Sequence, residues 1–194
     1  MPTIEQVERF HRLKHRIAQL VLRTIRNKEV IYGERALEIR LPEFLKRPTR
    51  DYDVYSHTPE KDAIEAEKLL DKEFGGDYFY VTPALHPGTF KVKSRINEET
   101  YADFTKPEEK IPYDVIQGKN YVQIKKIVEN FKRNLKDKEK EFRHGQDRDT
   151  LNRIKIYKDI KRQMTLKPQK SLLKEKKLLK FKKSKTKTKK LFKI

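Results

Sequence analysis

The residues most able to do chemistry in this chain are three aspartates. Asp51-Tyr52-Asp53-Val54-Tyr55 alternates, so a strand there turns Asp51 and Asp53 to one face and Tyr52 and Val54 to the other. Two carboxylates on one face repel unless a proton or a cation lies between them, and oxygen-ligated Mg²⁺ is a usual partner for such a pair. The plain alternative is an edge strand whose acids face water, with Arg47 and Arg50 as surface partners. The third acid, Asp103, sits in Thr100-Tyr-Ala-Asp-Phe-Thr105, among Tyr101, Ala102 and Phe104, which favour burial. An ionised carboxylate there needs a cation or a hydrogen-bond network to offset its desolvation.

The elements that must position these acids can be read on either side of them. Val30 to Tyr32 is an apolar strand running into Gly33, where a backbone without a Cβ can turn sharply into a helix packed through Ala36, Leu37 and Ile39. Pro42 and Pro48 then break the chain before the Asp-x-Asp strand. Thr58 as N-cap and Pro59 at the first helical position open a second helix, buried through Ala63, Ala66, Leu69, Leu70 and Phe74 and ended by Gly75-Gly76. An apolar strand from Tyr78 to Thr82 follows, then one from Thr89 to Ile96. Asn97-Glu98-Glu99 reads as a hairpin turn that returns the chain along Thr100 to Thr105.

Ahead of this core, residues 3 to 27 place Ile4, Val7, Phe10, Leu13, Ile17, Leu20, Val21 and Ile25 at helical spacing, with Thr3 and Gln6 as a capping box. His11 and His15 lie four apart on that helix, but no third ligand is spaced to join them. Beyond the core, Val122, Ile127, Val128, Phe131, Leu135 and Phe142 predict a long helix from Tyr121 to Arg143 ended by Gly145. Leu151, Ile154, Tyr157, Ile160 and Met164 predict another from Asp149 to Met164, the two forming a helical hairpin on the sheet. Their exposed faces are rich in Lys and Arg, which suits either ordinary solvation or a groove for RNA.

Taken together, Ile31-Tyr-Gly-Glu-Arg-Ala-Leu37, Asp51-Tyr-Asp-Val-Tyr-Ser56, His86-Pro-Gly-Thr-Phe-Lys-Val92 and Ala102-Asp-Phe-Thr105 resemble the nucleotidyltransferase superfamily related to polymerase beta. Within it they look most like the catalytic segments of poly(A) polymerases of large DNA viruses. Phe142-Arg-His-Gly-Gln-Asp-Arg-Asp-Thr-Leu-Asn-Arg-Ile154 also resembles the helical stretch after that core, so the likeness covers roughly residues 28 to 160. The resemblance implies an α+β fold, a small mixed or antiparallel nucleotidyltransferase sheet flanked by helices; the helical hairpin follows it, and the low-complexity lysine-rich run after that predicts a disordered tail. It implies transfer of a nucleoside monophosphate from ATP or another nucleoside triphosphate to an RNA 3′ end, dependent on Mg²⁺ or Mn²⁺. Asp51, Asp53 and Asp103 would be the catalytic metal ligands, and Gly33, Glu34, Arg35 and Ser56 would meet the nucleotide. The family has glycine or serine where this chain has Glu34. An acid aimed into the site would repel phosphate, whereas one turned outward would leave the backbone amide free to serve.

Composition sets the outer bounds. The 194 residues suit one domain with a small appendage, divided as an N-terminal amphipathic helix (1–28), a catalytic core (29–118), a helical appendage (119–166) and a basic tail (167–194). Charged residues make up 40% and hydrophobic ones 35%, yet ten Phe and nine Tyr argue against global disorder. The absence of cysteine removes disulfides, thiolate zinc sites and a cysteine nucleophile. No apolar run predicts a membrane span or a signal peptide, which points to an intracellular, cytoplasmic protein, and the resemblance to viral enzymes adds a virion or viral factory as a location. The net charge is +19, and residues 167–194 hold 13 lysines against the single acid Glu175, leaving a surplus of seven to the rest. Such a balance calls for a polyanionic partner, RNA before a membrane. A homodimer or a partner subunit is also open. Two rival functions remain: a toxin-like nucleotidyltransferase that modifies tRNA or protein, and a catalytically lapsed RNA-binding subunit, for which Glu34 and the basic surplus speak.

Overall fold

The computed structural model describes residues 3–165, so the lysine-rich segment expected to be a disordered tail lies outside the described residues. The chain divides into two compact units, Met1–Glu141 and Phe142–Ile194. Among the described residues no helix is long and apolar enough to cross a membrane.

The first unit is a seven-stranded mixed sheet with helices. Helix α1 (Ile4–Thr24) opens with the expected capping box: Gln6 N–H donates to the Thr3 hydroxyl at 3.2 Å, and Thr3 N–H to Gln6 Oε1 at 2.8 Å. Its apolar stripe is core only in the second half. Ile17, Leu20 and Val21 are buried together with the following Ile25, while Ile4, Phe10 and Leu13 face solvent.

Then come β1 (Val30–Tyr32), α2 (Gly33–Glu38), β2 (Tyr52–Tyr55), α3 (Pro59–Phe74), β3 (Phe79–Pro83), β4 (Thr89–Ser94) and β5 (Thr100–Thr105). They are followed by β6 (Tyr113–Ile116), β7 (Lys119–Val122) and α4 (Ile124–Asn134). The sheet order is β3-β4-β5-β2-β1-β7-β6, with β2–β5 and β1–β7 parallel and the other pairs antiparallel.

Strand periodicity sorts the side chains by face. Ile31, Val54 and Phe104 form one cross-strand row and Tyr52, Ala102 and Val92 the next, all buried, on the side where α1 and α3 pack. Burying a side chain such as Phe104 contributes roughly 1.5–3 kcal/mol. The acids belong to the alternate rows, on the other face. At the end of α3, Gly75 takes a left-handed conformation (φ 73°) as the C-cap, as the Gly-Gly pair predicts.

Three expectations need correction. The helix predicted from Tyr121 does not start there: Tyr121 and Val122 are the end of β7, which pairs in parallel with β1. Gln117 and Gly118, at φ 49° and 75°, make the two-residue turn between β6 and β7, a geometry that needs left-handed backbone at both positions. The apolar period was shared by a strand and a helix, and sheet pairing won. The same helix does not run on to Arg143; α4 ends at Asn134, and a 3-10 stretch spans Lys138–Arg143. Thr58, lastly, is the N-cap residue of α3 as expected but not through its side chain, whose hydroxyl donates to Asp62 at 3.0 Å.

In the second unit a helix, α5, spans 144–165. It runs through Gly145, where a stop was expected, and begins before Asp149. A glycine costs about 1 kcal/mol inside a helix, and ion pairs four residues apart support this one: Arg143 Nε to Asp147 at 3.2 Å and Arg153 Nε to Asp149 at 3.3 Å.

Candidate active site

Parallel pairing of β2 with β5 sets Asp53 directly opposite Asp103. The row extends on both sides: Tyr32 on β1 faces Asp53, Lys91 on β4 faces Asp103, and Thr82 on β3 faces Lys91. One row therefore carries Tyr32, Asp53, Asp103, Lys91 and Thr82 across five strands. The next row on the same face holds Val30, Tyr55, Thr105 and Thr89.

Gly33 is fixed by this row in two ways. Its φ is +64°, a region that L side chains rarely adopt, and a Cβ there would overlap Asp53 Oδ2 and lie 2.9 Å from Asp53 Cγ. The glycine turn is what admits the Asp53 carboxylate to its position.

Asp103 is largely buried, with 18% of its side chain exposed. Burial raises its pKa above the ordinary aspartate value; Lys91 pulls it back, and the charge of Asp51 pushes it up again. Lys91 Nζ lies 3.4 Å from Asp103 Oδ2, while Asp103 Oδ1 is buried with no hydrogen-bond partner. Asp51 precedes β2. Its Oδ1 accepts from the Thr49 hydroxyl at 3.1 Å, and its carbonyl from Arg35 Nε at 3.3 Å.

Asp53 and Asp103 are thus brought together, with Asp51 close enough for its charge to act on Asp103. The three do not form a tight trio of oxygens. Among the described residues the group that does, within 4.8 Å, is Glu67, Asp71 and Asp77 around the end of α3. That group has a structural task, since Asp71 Oδ1 accepts from the backbone of Tyr78 and Phe79 at 2.8 and 3.0 Å. The donor set at Asp51, Asp53 and Asp103 fits a hard divalent cation: all ligands are carboxylates, and one oxygen is buried without a hydrogen bond.

The residues expected to meet the nucleotide divide. Gly33 adjoins Asp53. Glu34 is mostly buried and pairs with Arg47 at 3.2 Å, so its charge is compensated. Arg35 pairs with Glu38 at 3.0 Å and lies over the Tyr52 ring at 4.6 Å. Ser56 is buried, and its hydroxyl donates to Asp62 and accepts from Thr58 N–H at 2.9 Å. That makes Ser56 part of a buried polar network. Arg26 reaches Glu29 at 3.2 Å, Glu65 at 3.2 Å and Asp62, with Glu29 and Asp62 almost wholly buried. Burial raises the pKa of Glu29, against the opposing hydrogen bond from Arg26 N–H.

A cavity of about 820 Å³ opens beside Asp103, and Tyr32, Tyr55, Lys91 and Thr105 line it. Tyr32 and Tyr55 stack, ring centroids 4.0 Å apart and 19° from parallel. The Tyr32 hydroxyl lies 3.1 Å from Thr105 Oγ1, which lies 3.1 Å from Thr89 Oγ1. Burial and the charge of Asp53 push the Tyr32 pKa up, so the phenol stays protonated. Sequence reasoning missed Lys91 as a partner of Asp103. The signal was present in Thr89-Phe-Lys-Val-Lys, whose alternation puts Thr89, Lys91 and Lys93 on one face.

No protein-family model matches the chain, and no curated protein sequence does. Among solved structures, the crystal structure of the Megavirus polyadenylate synthase is similar to it, with a TM-score of 0.54 and 24% identity over 63% of this chain. The likeness is one of fold: over that part the chain folds like the synthase. It spans about a quarter of that synthase, 26% of its length.

Proposed function

We propose that the protein is a nucleotidyltransferase that adds nucleoside monophosphates from a nucleoside triphosphate to an RNA 3′ end. The observation that carries the reading is the register of Asp53 and Asp103 on adjacent parallel strands, with Gly33 making room for the Asp53 carboxylate. Asp51, Asp53 and Asp103 would hold Mg²⁺ or Mn²⁺, which when bound supplies positive charge to the attacking and leaving oxygens of an in-line displacement.

The chain's own residues do the rest. Asp103 lies at the cavity and would face the acceptor, whereas Gly33 and the start of α2, beyond Asp53, would face the triphosphate. The ion pair of Glu34 with Arg47 lowers the repulsion that an unpaired acid would exert on phosphate. In this reading residues 29–118 are the catalytic core, to which β7 adds a strand, 1–28 a covering helix, 119–166 an appendage and 167–194 a basic segment for phosphate contacts.

Purified protein is incubated with each labelled nucleoside triphosphate, Mg²⁺ or Mn²⁺ and an RNA oligonucleotide. Label at the RNA 3′ end, lost in Asp53→Asn, is the expected result. Label on tRNA or on protein instead moves the reading to a modifying enzyme. The Lys91–Asp103 ion pair favours a second reading, a lapsed RNA-binding subunit in which an ammonium satisfies the third acid. That reading wins if calorimetry finds no metal-dependent nucleotide binding while RNA still binds.

A further inference from the structure

Two cavities share a wall on the acid-bearing face of the sheet. The first is the cavity of about 820 Å³ at Asp103; the second, about 470 Å³, is lined by Lys28, Val30, His57, Lys110 and Tyr113. Tyr55 and the segment from Glu108 to Ile111 line both, Lys110 excepted from the first. That segment belongs to the connection 106–112, which has no regular structure and leads from β5 to β6. In the sheet order β5 and β6 are four strand spacings apart, roughly 19 Å at about 4.8 Å each. The eight Cα–Cα steps from Thr105 to Tyr113 reach at most about 26–29 Å when extended, so the connection, with Pro107 and Pro112, is an extended strap across the sheet.

We infer that the two cavities form one track for single-stranded RNA, its 3′-terminal nucleotide at Asp103 and the preceding nucleotides passing Tyr55 towards His57 and Tyr113. The inference rests on the acceptor reading above and names the residues that carry the acceptor. The stacked Tyr32–Tyr55 pair offers a flat aromatic surface to a base, and such stacking tolerates any sequence. Tyr113, half exposed, offers a second ring at the far end. Cations accompany the rings. Lys106 lines the first cavity and Lys28 and Lys110 the second, and these three make no ion pair among the described residues. Of the acids on the strap, Glu109 is held by Lys126 at 2.5 Å. Aromatic faces interleaved with uncommitted lysines are what a backbone-tracking, base-stacking groove requires.

The test uses the full chain and a ten-nucleotide RNA carrying one 5-iodouridine at the last, third-from-last or fifth-from-last position. Irradiation of the complex followed by peptide mapping is expected to place the crosslink at Tyr32 or Tyr55 for the terminal positions and to move it to Tyr113 for the inner ones. Fluorescence anisotropy with the same RNA is expected to show about a tenfold loss of affinity in Tyr55→Ala, none in Tyr55→Phe, and a shallower salt dependence in Lys28→Ala/Lys110→Ala. The lysine variant is at the surface and keeps the assay valid if Tyr55→Ala unfolds. Crosslinks that stay put as the label moves, or an unchanged salt slope, overturn the track. A protein that transfers nucleotide but crosslinks elsewhere keeps the enzymatic reading and loses the track; one that crosslinks as expected without transfer does the reverse.

Discussion

Replacing Gly33 by alanine separates two costs that the structure places at one residue. Gly33 has φ +64°, and forcing an L residue into the left-handed region costs roughly 1–2 kcal/mol. The added Cβ would also overlap Asp53 Oδ2 and sit 2.9 Å from Cγ, so the carboxylate must leave its rotamer, at a further 0.5–1.5 kcal/mol or so for a displacement of ~30°. Gly75 supplies the control. Its φ is +73°, close to that of Gly33, and a Cβ there meets nothing within 4 Å. Gly75→Ala is therefore expected to lose only the backbone part, about 1–2 kcal/mol, and Gly33→Ala about 1.5–3.5 kcal/mol, by urea denaturation followed by circular dichroism. The functional difference should be larger. Gly33→Ala moves a proposed metal ligand and is expected to abolish Mg²⁺-dependent nucleotide binding in calorimetry, whereas Gly75→Ala leaves it intact. Equal destabilisation of the two variants with unchanged nucleotide binding in both would refute the claim that Gly33 exists to seat Asp53.

Asp51→Asn and Asp53→Asn are each expected to lower nucleotide transfer by two orders of magnitude or more in a primer-extension assay without unfolding the protein. Glu34→Ser frees Arg47 beside the start of α2 and should tighten triphosphate binding, read by calorimetry. Deleting residues 167–194, with 13 lysines, should flatten the salt dependence of RNA binding and leave the melting temperature nearly unchanged. Burial holds the folded-state pKa of Glu29 above its unfolded value, so its favourable contribution is complete below about pH 4.5 and is lost as pH rises through the folded value. Glu29→Gln should therefore gain stability relative to wild type towards neutral pH and show no gain in acid, read from melting temperatures across pH.

Much of the core was legible because its signals are local. Gly33, Pro59 and Gly75 announce a turn, a helix start and a helix end through their own backbone limits, and the alternation in Asp51–Tyr55 and Thr100–Thr105 fixes which side chains share a face. What the sequence could not display were pairings between distant segments. Nothing near Tyr121 says that Val30 will pair with Asn120, so a strand read as helix. Arg26, Glu29, Ser56 and Asp62 each look like surface residues until the fold buries them together. The Ser56 hydroxyl donates to Asp62, because the residue alternates to the helix-covered side after Tyr55, a partner that nothing near Ser56 in the sequence announces.

The two carboxylate clusters of this molecule are resolved in opposite ways, and the contrast bears on function. Around Arg26 the acids are sealed: Glu29 and Asp62 are almost wholly buried and share one guanidinium, although at Glu29 burial still outweighs that partner. Around Asp103 the arrangement stays open to a cavity, with one oxygen near Lys91 and the other without a hydrogen bond. A structural aspartate would be expected to have both oxygens satisfied, as Asp62 does through Ser56, Thr58 and Arg26. Asp103→Asn removes the charge that burial disfavours, so it should raise the melting temperature at neutral pH while abolishing transfer. A fall in the melting temperature would instead make the Lys91–Asp103 pair a structural bond, and the lapsed-subunit reading would then gain the advantage.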